Sequence, residues 1–110
     1  MGNGPQNVII YQVFIINDKT NFFYNNIRYM KNLLVTGGCG FIGSNFINHI
    51  FFLNEYNIIN IDSLNYCANE NNILEEIRNA NNYTFIKGNI CSFDLIWHIL
   101  TNKNIDIIIH

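Results

Sequence analysis

Short apolar runs alternate with segments of helical periodicity along most of this chain. Four runs are almost continuously apolar, which is typical of strands buried on both faces of a parallel sheet. These runs lie at 32–35, 58–61, 83–86 and 105–109. Between them, apolar residues recur at spacings of three and four, which predicts helices at 41–53, 70–79 and 93–101. The order β-α-β-α-β-α-β predicts the N-terminal half of a Rossmann-type, doubly wound parallel sheet of the α/β class.

Each predicted helix has an apolar face that would pack on the sheet. The residues of these faces are Phe46, Ile47, Ile50, Phe51 and Leu53; Ile73, Leu74 and Ile77; and Leu95, Ile96, Ile99 and Leu100. Ser92 precedes the third helix and is predicted to cap its N-terminus. Trp97 and His98 are predicted to be peripheral. Glu75 and Glu76 lie on the solvated side of the second helix and are not interpreted as a catalytic pair.

Residues 1–29 do not fit the alternating pattern and are predicted to be an extension outside the domain of residues 30–110. The apolar run 8–16 is far shorter than the ~20 residues of a membrane-spanning helix. Its β-branched and aromatic residues suit a strand or, if exposed, an aggregation-prone segment. We hypothesise that Met30 is the natural start, and that the preceding residues are an upstream translation or a poorly ordered tail.

Composition narrows the function classes. A chain of 110 residues forms one domain at most, and its hydrophobic content of 49% is too high for a disordered protein. The net charge of −2 and the lack of a basic patch argue against a nucleic acid partner. The three cysteines fit no zinc-binding spacing, and no secretory signal is evident. We expect a cytoplasmic protein without a metal or membrane partner, with most asparagines on the solvated surface.

A glycine-rich turn follows the first predicted strand and opens the first predicted helix. Its sequence, Thr36-Gly37-Gly38-Cys39-Gly40-Phe41-Ile42-Gly43, contains the spacing Gly-x-Gly-x-x-Gly, which in this context is typical of a dinucleotide-binding βαβ unit. Gly37 and Gly38 would let the chain turn sharply. Gly40 would let a pyrophosphate approach the backbone, and Gly43 would let the helix pack closely. The positive end of the helix dipole would then face the phosphates.

An acidic residue stands at the end of the second predicted strand. Asp62 comes 19 residues after Gly43, where a carboxylate can accept both hydroxyls of an adenosine ribose and would repel a 2′-phosphate. The pattern therefore favours NAD over NADP as the cofactor. Cys39 lies near a helix N-terminus, which can lower the pKa of a thiol. We favour the alternative that Cys39 is a small loop residue without a reactive role.

Four segments of the chain match a recurring set of motifs. Residues 36–45 are similar to the signature TGGxGFIGSN, and residues 60–69 are similar to NLDKLTYAGN. Residues 83–91 are similar to YxFxxGDIC, and residues 105–110 are similar to the strand that runs into HFAAxSHVD. The set resembles the extended short-chain dehydrogenases/reductases, in particular the dTDP-glucose 4,6-dehydratase branch. The resemblance covers Met30 to His110.

The resemblance implies which residues would bind NAD. The implied cofactor-binding residues are Gly37, Gly40, Phe41, Ile42, Gly43, Asp62, Ser63, Asn65, Asn89 and Ile90. Three of them depart from the family: Ser63 replaces a Lys, Asn65 a Thr, and Asn89 an Asp that holds the adenine amino group. Asn89 keeps a side-chain oxygen that can accept from this amine. Tyr66 fits two interpretations equally well, packing beside the adenosine or filling the loop.

The resemblance implies an NAD-dependent nucleotide-sugar 4,6-dehydratase, a lyase that converts NDP-glucose to NDP-4-keto-6-deoxyglucose. In that family NAD takes a hydride from C4 of the hexose, and the Tyr of a Tyr-x-x-x-Lys pair acts as the base. An Asp–Glu pair then removes water across C5–C6, and the hydride returns to C6. These catalytic residues are expected downstream of residue 110, so none is assigned here. We expect an N-terminal NAD-binding portion that is inactive alone and poorly folded, because a missing half-sheet leaves apolar surface uncovered.

Partners and alternatives follow from the same resemblance. The full-length family binds a nucleotide-sugar substrate and forms homodimers. A nucleotide-sugar epimerase, or another extended-family oxidoreductase, would share every residue discussed so far. A third alternative is a non-catalytic NAD-binding protein whose true length is 110 residues.

Overall fold

A computed structural model of the chain describes residues 13–15, 23–24, 27–28, 30–65 and 67–110. The strands are β1 (Val13–Ile15), β2 (Phe23–Tyr24), β3 (Ile27–Arg28), β4 (Lys31–Thr36), β5 (Tyr56–Asp62), β6 (Tyr83–Lys87) and β7 (Ile107–Ile109). The helices are α1 (Phe41–Ile50), α2 (Glu75–Arg78) and α3 (Phe93–Asn102), with 3₁₀ turns at Phe51–Leu53 and Glu70–Asn72.

The larger sheet has the strand order β1-β7-β4-β5-β6. Strands β7, β4, β5 and β6 are parallel to their neighbours, which confirms the predicted Rossmann-type α/β fold. β1 pairs with the outer edge of β7 in the antiparallel direction, with Val13 opposite Ile109. β2 and β3 form a separate antiparallel pair. The placement of residues 1–29 outside the domain stays a prediction.

The strands bury apolar side chains on both faces of the sheet. On one face, Leu33 and Ile58 form a buried cluster with Ile47 of α1 and Ile77 of α2. On the other face, Leu34, Ile59 and Ile61 form a second cluster with Ile99 of α3. Because successive residues of a strand point to opposite faces, a continuously apolar run supplies both clusters at once. α1 and α2 therefore cover one face of the sheet and α3 covers the other.

The predicted second helix is interrupted. The 3₁₀ turn Glu70–Asn72 and the short α2 replace a continuous helix over 70–79, because Ile73 is extended, with φ −87° and ψ 132°. The Asn48 side chain on α1 bonds the backbone on both sides of this break. Its Nδ2 donates to the Asn72 carbonyl (2.9 Å), and its Oδ1 accepts from Leu74 N (3.0 Å). These tertiary bonds satisfy the backbone groups that a continuous helix would have paired internally.

Several residues that were predicted to pack on the sheet or to cap a helix do not do so in the structure. α1 ends at Ile50, so Leu53 leaves the apolar face and is 53% exposed. Leu74 and Leu100 were predicted to pack but are also exposed. Leu74 is the N-cap residue that precedes α2 rather than a residue of its apolar face. Ser92 stands at the N-cap position of α3, but its side chain makes no capping bond. Trp97 and His98 are exposed, as predicted.

The last strand begins later than the apolar run indicates. Ile105 and Asp106 are buried before β7 starts. Asp106 N donates to the Asn32 carbonyl (2.8 Å), and Asp106 Oδ2 accepts from Asn32 N (2.8 Å). This reciprocal pair joins the amino ends of β4 and β7. Within the described part of the chain, no helix has the length and apolar character needed to cross a membrane.

Candidate functional site

A cavity of about 350 Å³ opens at the carboxyl ends of the parallel strands. It is lined by Thr36, Gly37, Ile61, Asp62, Ser63, Gly88, Asn89, Ile90 and His110. Open doubly wound sheets bind their ligands at this edge, where the strand order reverses. Here the reversal lies at β4, because β5 and β6 extend the sheet on one side and β7 on the other.

The turn after β4 depends on glycine at two positions for different reasons. Gly37 has φ +69°, a left-handed conformation that residues with a side chain rarely adopt. Gly43 has a permitted conformation, but a Cβ there would overlap the Gly37 carbonyl oxygen and lie 2.8 Å from Gly38 Cα. Gly38 is also needed for space rather than for its φ, since a Cβ would overlap the Asn60 side chain. The sequence interpretation was therefore wrong about why glycine stands at position 38: the backbone conformation does not require it, but the space beside Asn60 does.

The N-terminus of α1 is open toward the carboxyl edge of the sheet. Gly40 occupies the N-cap position without a side-chain cap, and the first turn carries no acidic residue. The first N–H groups of a helix have no partner within the helix, so they are available to an anion. Phe41 and Ile42 are 79% and 40% exposed. These two residues, with Gly40 and Gly43, lie beside the cavity but do not line it.

Asp62 organises the backbone around the cavity. Its Oδ2 accepts a bond from Cys39 N (2.9 Å) and its Oδ1 accepts one from Leu64 N (2.8 Å). Asp62 is 8% exposed and lines the cavity, and its two bonds fasten the glycine turn and the following loop to the end of β5. Each oxygen accepts one of these bonds, and a carboxylate oxygen can accept two. Acceptor capacity for two ribose hydroxyls therefore remains.

Cys39 holds the turn against the loop that follows β5. Its carbonyl accepts bonds from Asn69 N (3.0 Å) and Asn72 Nδ2 (2.9 Å). Its thiol accepts a bond from the buried Asn60 Nδ2 (3.4 Å), which also donates to Tyr83 Oη (3.0 Å). Burial, partly offset by the Asn60 bond, raises the pKa of the Cys39 thiol to about 11. The reactive-thiolate alternative is therefore wrong, and Cys39 has a packing role.

The three thiols are expected to differ sharply in reactivity. Cys39 is buried and its raised pKa keeps it protonated near neutral pH, whereas Cys67 and Cys91 are exposed. Titration of the folded chain with Ellman's reagent should count two rapidly reacting thiols, and the third should react after denaturation. The C67S/C91S variant should show no rapid reaction. A rapidly reacting thiol in that variant would contradict the buried placement of Cys39.

The far wall of the cavity is the turn after β6. The Asn89 side chain folds back on this turn, and its Oδ1 accepts a bond from Cys91 N (2.8 Å). The second acceptor position of that oxygen is the one left for a ligand. Gly88 N bonds the Asp62 carbonyl (3.1 Å), which joins this wall to β5. Ile90 is 45% exposed at the rim.

The structure brings together half of the residues predicted from the sequence. Gly37, Asp62, Ser63, Asn89 and Ile90 line the cavity. Asn65 is exposed and does not line it, and Tyr66 lies outside the described residues. Four lining residues were missed, Thr36, Ile61, Gly88 and His110. Each of these residues lies at the carboxyl end of a parallel strand or closely follows one. Ligands of open α/β sheets bind at this edge, so the position in the predicted strand was the signal that could have identified these residues.

A sequence spacing of Tyr-x-x-x-Lys occurs at Tyr83 and Lys87. Both residues lie on β6, where four residues span about 13 Å. Tyr83 is buried and bonded to Asn60, and burial raises its pKa to about 12, whereas Lys87 is exposed. The two side chains therefore do not form a working pair. No cluster of three or more potential metal ligands occurs among the described residues.

Comparisons with known proteins converge on one group. Residues 34–110 match the family model described as GDP-mannose 4,6 dehydratase. The dTDP-D-glucose 4,6-dehydratase of Homo sapiens is 43% identical over 83 residues, which are 74% of this chain and 23% of that protein. A trifunctional UDP-glucose 4,6-dehydratase/UDP-4-keto-6-deoxy-D-glucose 3,5-epimerase/UDP-4-keto-L-rhamnose-reductase of Arabidopsis thaliana is 41% identical over 81 residues, 73% of this chain and 12% of that protein. This chain therefore spans a quarter or less of these relatives.

Solved structures show the same likeness. A dTDP-glucose 4,6-dehydratase of Bacillus anthracis in complex with NAD superposes with a TM-score of 0.64 at 42% identity, covering 68% of this chain and 24% of that one. A UDP-N-acetylglucosamine 4-epimerase of Methanobrevibacter ruminantium superposes with a TM-score of 0.53 at 31% identity, covering 64% and 21%.

Proposed function

Because this chain belongs to the GDP-mannose 4,6 dehydratase family, we propose that it is the N-terminal NAD-binding portion of a nucleotide-sugar 4,6-dehydratase of the dTDP-glucose type. The observation that carries the proposal is the cavity at the reversal of the strand order, where Gly37 and Asp62 face the same space. The Bacillus anthracis relative, which is 42% identical, contains NAD.

The residues around the cavity fit the parts of NAD. Asn89 and Ile90 would hold the adenine, and Asp62 would accept from the ribose hydroxyls. The uncapped N-terminus of α1, beginning at Phe41, would receive the diphosphate, where N–H groups and the helix dipole favour negative charge. NAD would supply a hydride acceptor and donor to the reaction. The residues of this chain bind and orient it, and the spacing at Tyr83 and Lys87 supplies no acid–base pair.

Asp62 also supports a preference for NAD over NADP. It is nearly buried at the ribose end of the cavity, and the described residues that line the cavity include no Arg or Lys to receive a 2′-phosphate. Lys87 lies opposite Asp62 in the register of β5 and β6 but does not line the cavity. A phosphate placed against this carboxylate would be repelled at short range, where low solvent exposure strengthens the interaction. Ser63, which lines the cavity beside it, is a neutral replacement for the Lys of related proteins.

The proposal extends to the whole protein. The substrate would be a nucleoside diphosphate hexose, with the product an NDP-4-keto-6-deoxyglucose, and the working form a homodimer. A nucleotide-sugar epimerase is the second candidate, since the Methanobrevibacter ruminantium epimerase shares the same fold at 31% identity. The catalytic residues that would separate the two are expected, from the family resemblance, outside residues 30–110, so the present chain is expected to be inactive.

Titration calorimetry of the 110-residue chain with NAD and with NADP tests the cofactor proposal. NAD should bind with a higher affinity than NADP, and the chain should show no turnover of dTDP-glucose with NAD present. Absence of NAD binding by a chain that is folded by circular dichroism would overturn the proposal. Measurable dehydratase turnover would contradict the assignment of this chain as a cofactor-binding portion only.

A further inference from the structure

We propose that the outer edge of β7 is a strand-accepting surface, and that β1 is its displaceable occupant. The partner that this surface fits is an extended apolar strand, which pairs with β7 through its backbone. The surface is separate from the candidate cofactor site, since Ile107–Ile109 do not line the cavity at the carboxyl edge of the sheet.

β1 lies at the edge where a doubly wound sheet is extended. The strand order is β1-β7-β4-β5-β6, and it reverses at β4. The parallel strands β5 and β6 extend the sheet on one side of β4, and β7 extends it on the other. In the doubly wound order, the next parallel strand pairs with the outer edge of the strand that holds the position of β7. β1 fills this place in the antiparallel direction, so β1 and a further parallel strand exclude each other.

β1 is weakly held on this edge. It pairs with β7 at three residue positions, whereas β4 and β5 pair at six. Val13, the β1 residue whose side chain is described, is 55% exposed. It lines an apolar cavity of about 200 Å³ together with Phe46 and Ile50 of α1, so α1 does not close over β1 at this point. A segment with few buried apolar contacts opens locally at low cost, which makes β1 displaceable.

The connection between β1 and β4 explains how such a short strand stays on the edge. Residues 16–30 form this connection, and the two strands within it, β2 and β3, form a sheet of their own. A tethered strand has a high effective concentration at its site, so it outcompetes the same segment offered in solution. β1 thereby covers an edge of three isoleucines, which would pair with other chains if it were free. The intact chain should therefore not bind an added strand, and a chain that has lost the β1 pairing should bind one.

The first test is a double proline variant of the full chain, V13P/F14P. Successive N–H groups of a strand point to opposite sides, so one of the two prolines removes a bond to β7. V13T/F14Y is the matched control, because it keeps both N–H groups and has residues that favour strands. A fluorescent peptide of residues 11–17, extended by lysines for solubility, should bind V13P/F14P at least about tenfold more tightly than wild type or V13T/F14Y, as measured by anisotropy. The same peptide with both prolines should bind none of these chains.

Hydrogen exchange followed by NMR provides a second readout on the wild-type chain. The β7 amides that face β1 should have protection factors at least about tenfold lower than those of the β5 amides at the centre of the sheet, because β1 opens locally. V13P/F14P should lower the protection of these β7 amides further. The β5 amides should stay protected in that variant, which would show that the rest of the sheet is retained.

Three results would overturn the strand-accepting role of this edge. One is equal peptide affinity for wild type and for a V13P/F14P chain whose β5 amides remain protected. Another is equal protection of the β7 amides in these two chains, since β1 would then not occupy the edge. The third is wild-type protection of the β7 amides that face β1 equal to that of β5, since β1 would then leave only on global unfolding. This third measurement applies even if the proline variant does not fold, and none of the three depends on NAD binding.

Discussion

Gly43→Ala is expected to lower the free energy of unfolding by about 3 kcal/mol and to abolish NAD binding. The added methyl would overlap the Gly37 carbonyl oxygen and crowd Gly38 Cα, at 2.8 Å. Both obstacles are backbone atoms of the glycine turn, so no side-chain rotation relieves them. α1 must then move away from the turn, which displaces the N–H groups proposed to receive the diphosphate. Chemical denaturation and calorimetry with NAD measure the two effects.

Gly40→Ala is the matched control for this substitution. A Cβ at Gly40 would lie 3.4 Å from the Gly37 carbonyl oxygen, and Gly40 has φ −73°, which alanine adopts readily. The free energy of unfolding should therefore stay within about 0.5 kcal/mol of wild type. NAD affinity should still fall, because the methyl stands where the diphosphate approaches. If the two variants are destabilised equally, the close contact of Gly43 with the turn is not what selects glycine there.

Asp62→Ala is expected to reduce both stability and cofactor selectivity. It removes the acceptor of the buried Cys39 N and of the partly buried Leu64 N. A buried N–H left without a partner costs about 1–3 kcal/mol, and a partly exposed one costs less because water can replace the acceptor. Leu64 has φ +60°, a conformation that this bond helps to hold. We expect a loss of about 2–4 kcal/mol in unfolding free energy, a large drop in NAD affinity, and the loss of the preference for NAD over NADP.

Two further variants separate the effects at this position. In Asp62→Asn one amide oxygen can still accept one of the two N–H bonds, so stability should fall less than in Asp62→Ala, while the charge that repels a 2′-phosphate is gone. Asp94→Asn makes the same chemical change at an exposed position in the first turn of α3, and it should leave the NAD to NADP affinity ratio unchanged. A ratio that stays at the wild-type value in Asp62→Asn would show that this carboxylate does not select the cofactor.

The asparagines show where reasoning from composition failed. They were expected to lie mostly on the solvated surface, and many do. Asn60, however, is fully buried, where its amide joins Cys39 and Tyr83 inside the core. Asn48 interrupts the predicted second helix through its bonds to backbone groups 24 and 26 residues away. An amide can pair with almost any polar group, so its role depends on which partner the fold brings near.

The sequence by itself determined the architecture of this protein and the edge of the sheet at which its candidate site lies. Continuous apolar runs require strands covered on both faces, and the alternation with helical segments then leads to a parallel sheet whose carboxyl edge carries the glycine turn and Asp62. These are local properties, since periodicity, a left-handed Gly37 and an acid at the end of a strand depend on neighbours in the chain.

Only the tertiary structure decided how the site is held together. The register of β4 with β7 brings Thr36 next to His110, 74 residues away in the chain. The glycine turn after β4 brings Cys39 N to the Asp62 carboxylate. The tertiary structure also buries the Cys39 thiol, which supports the favoured sequence interpretation of Cys39 as a residue without a reactive role. Contacts of this kind join residues that are distant in the chain, and their geometry exists only after the strands have paired and the helices have packed.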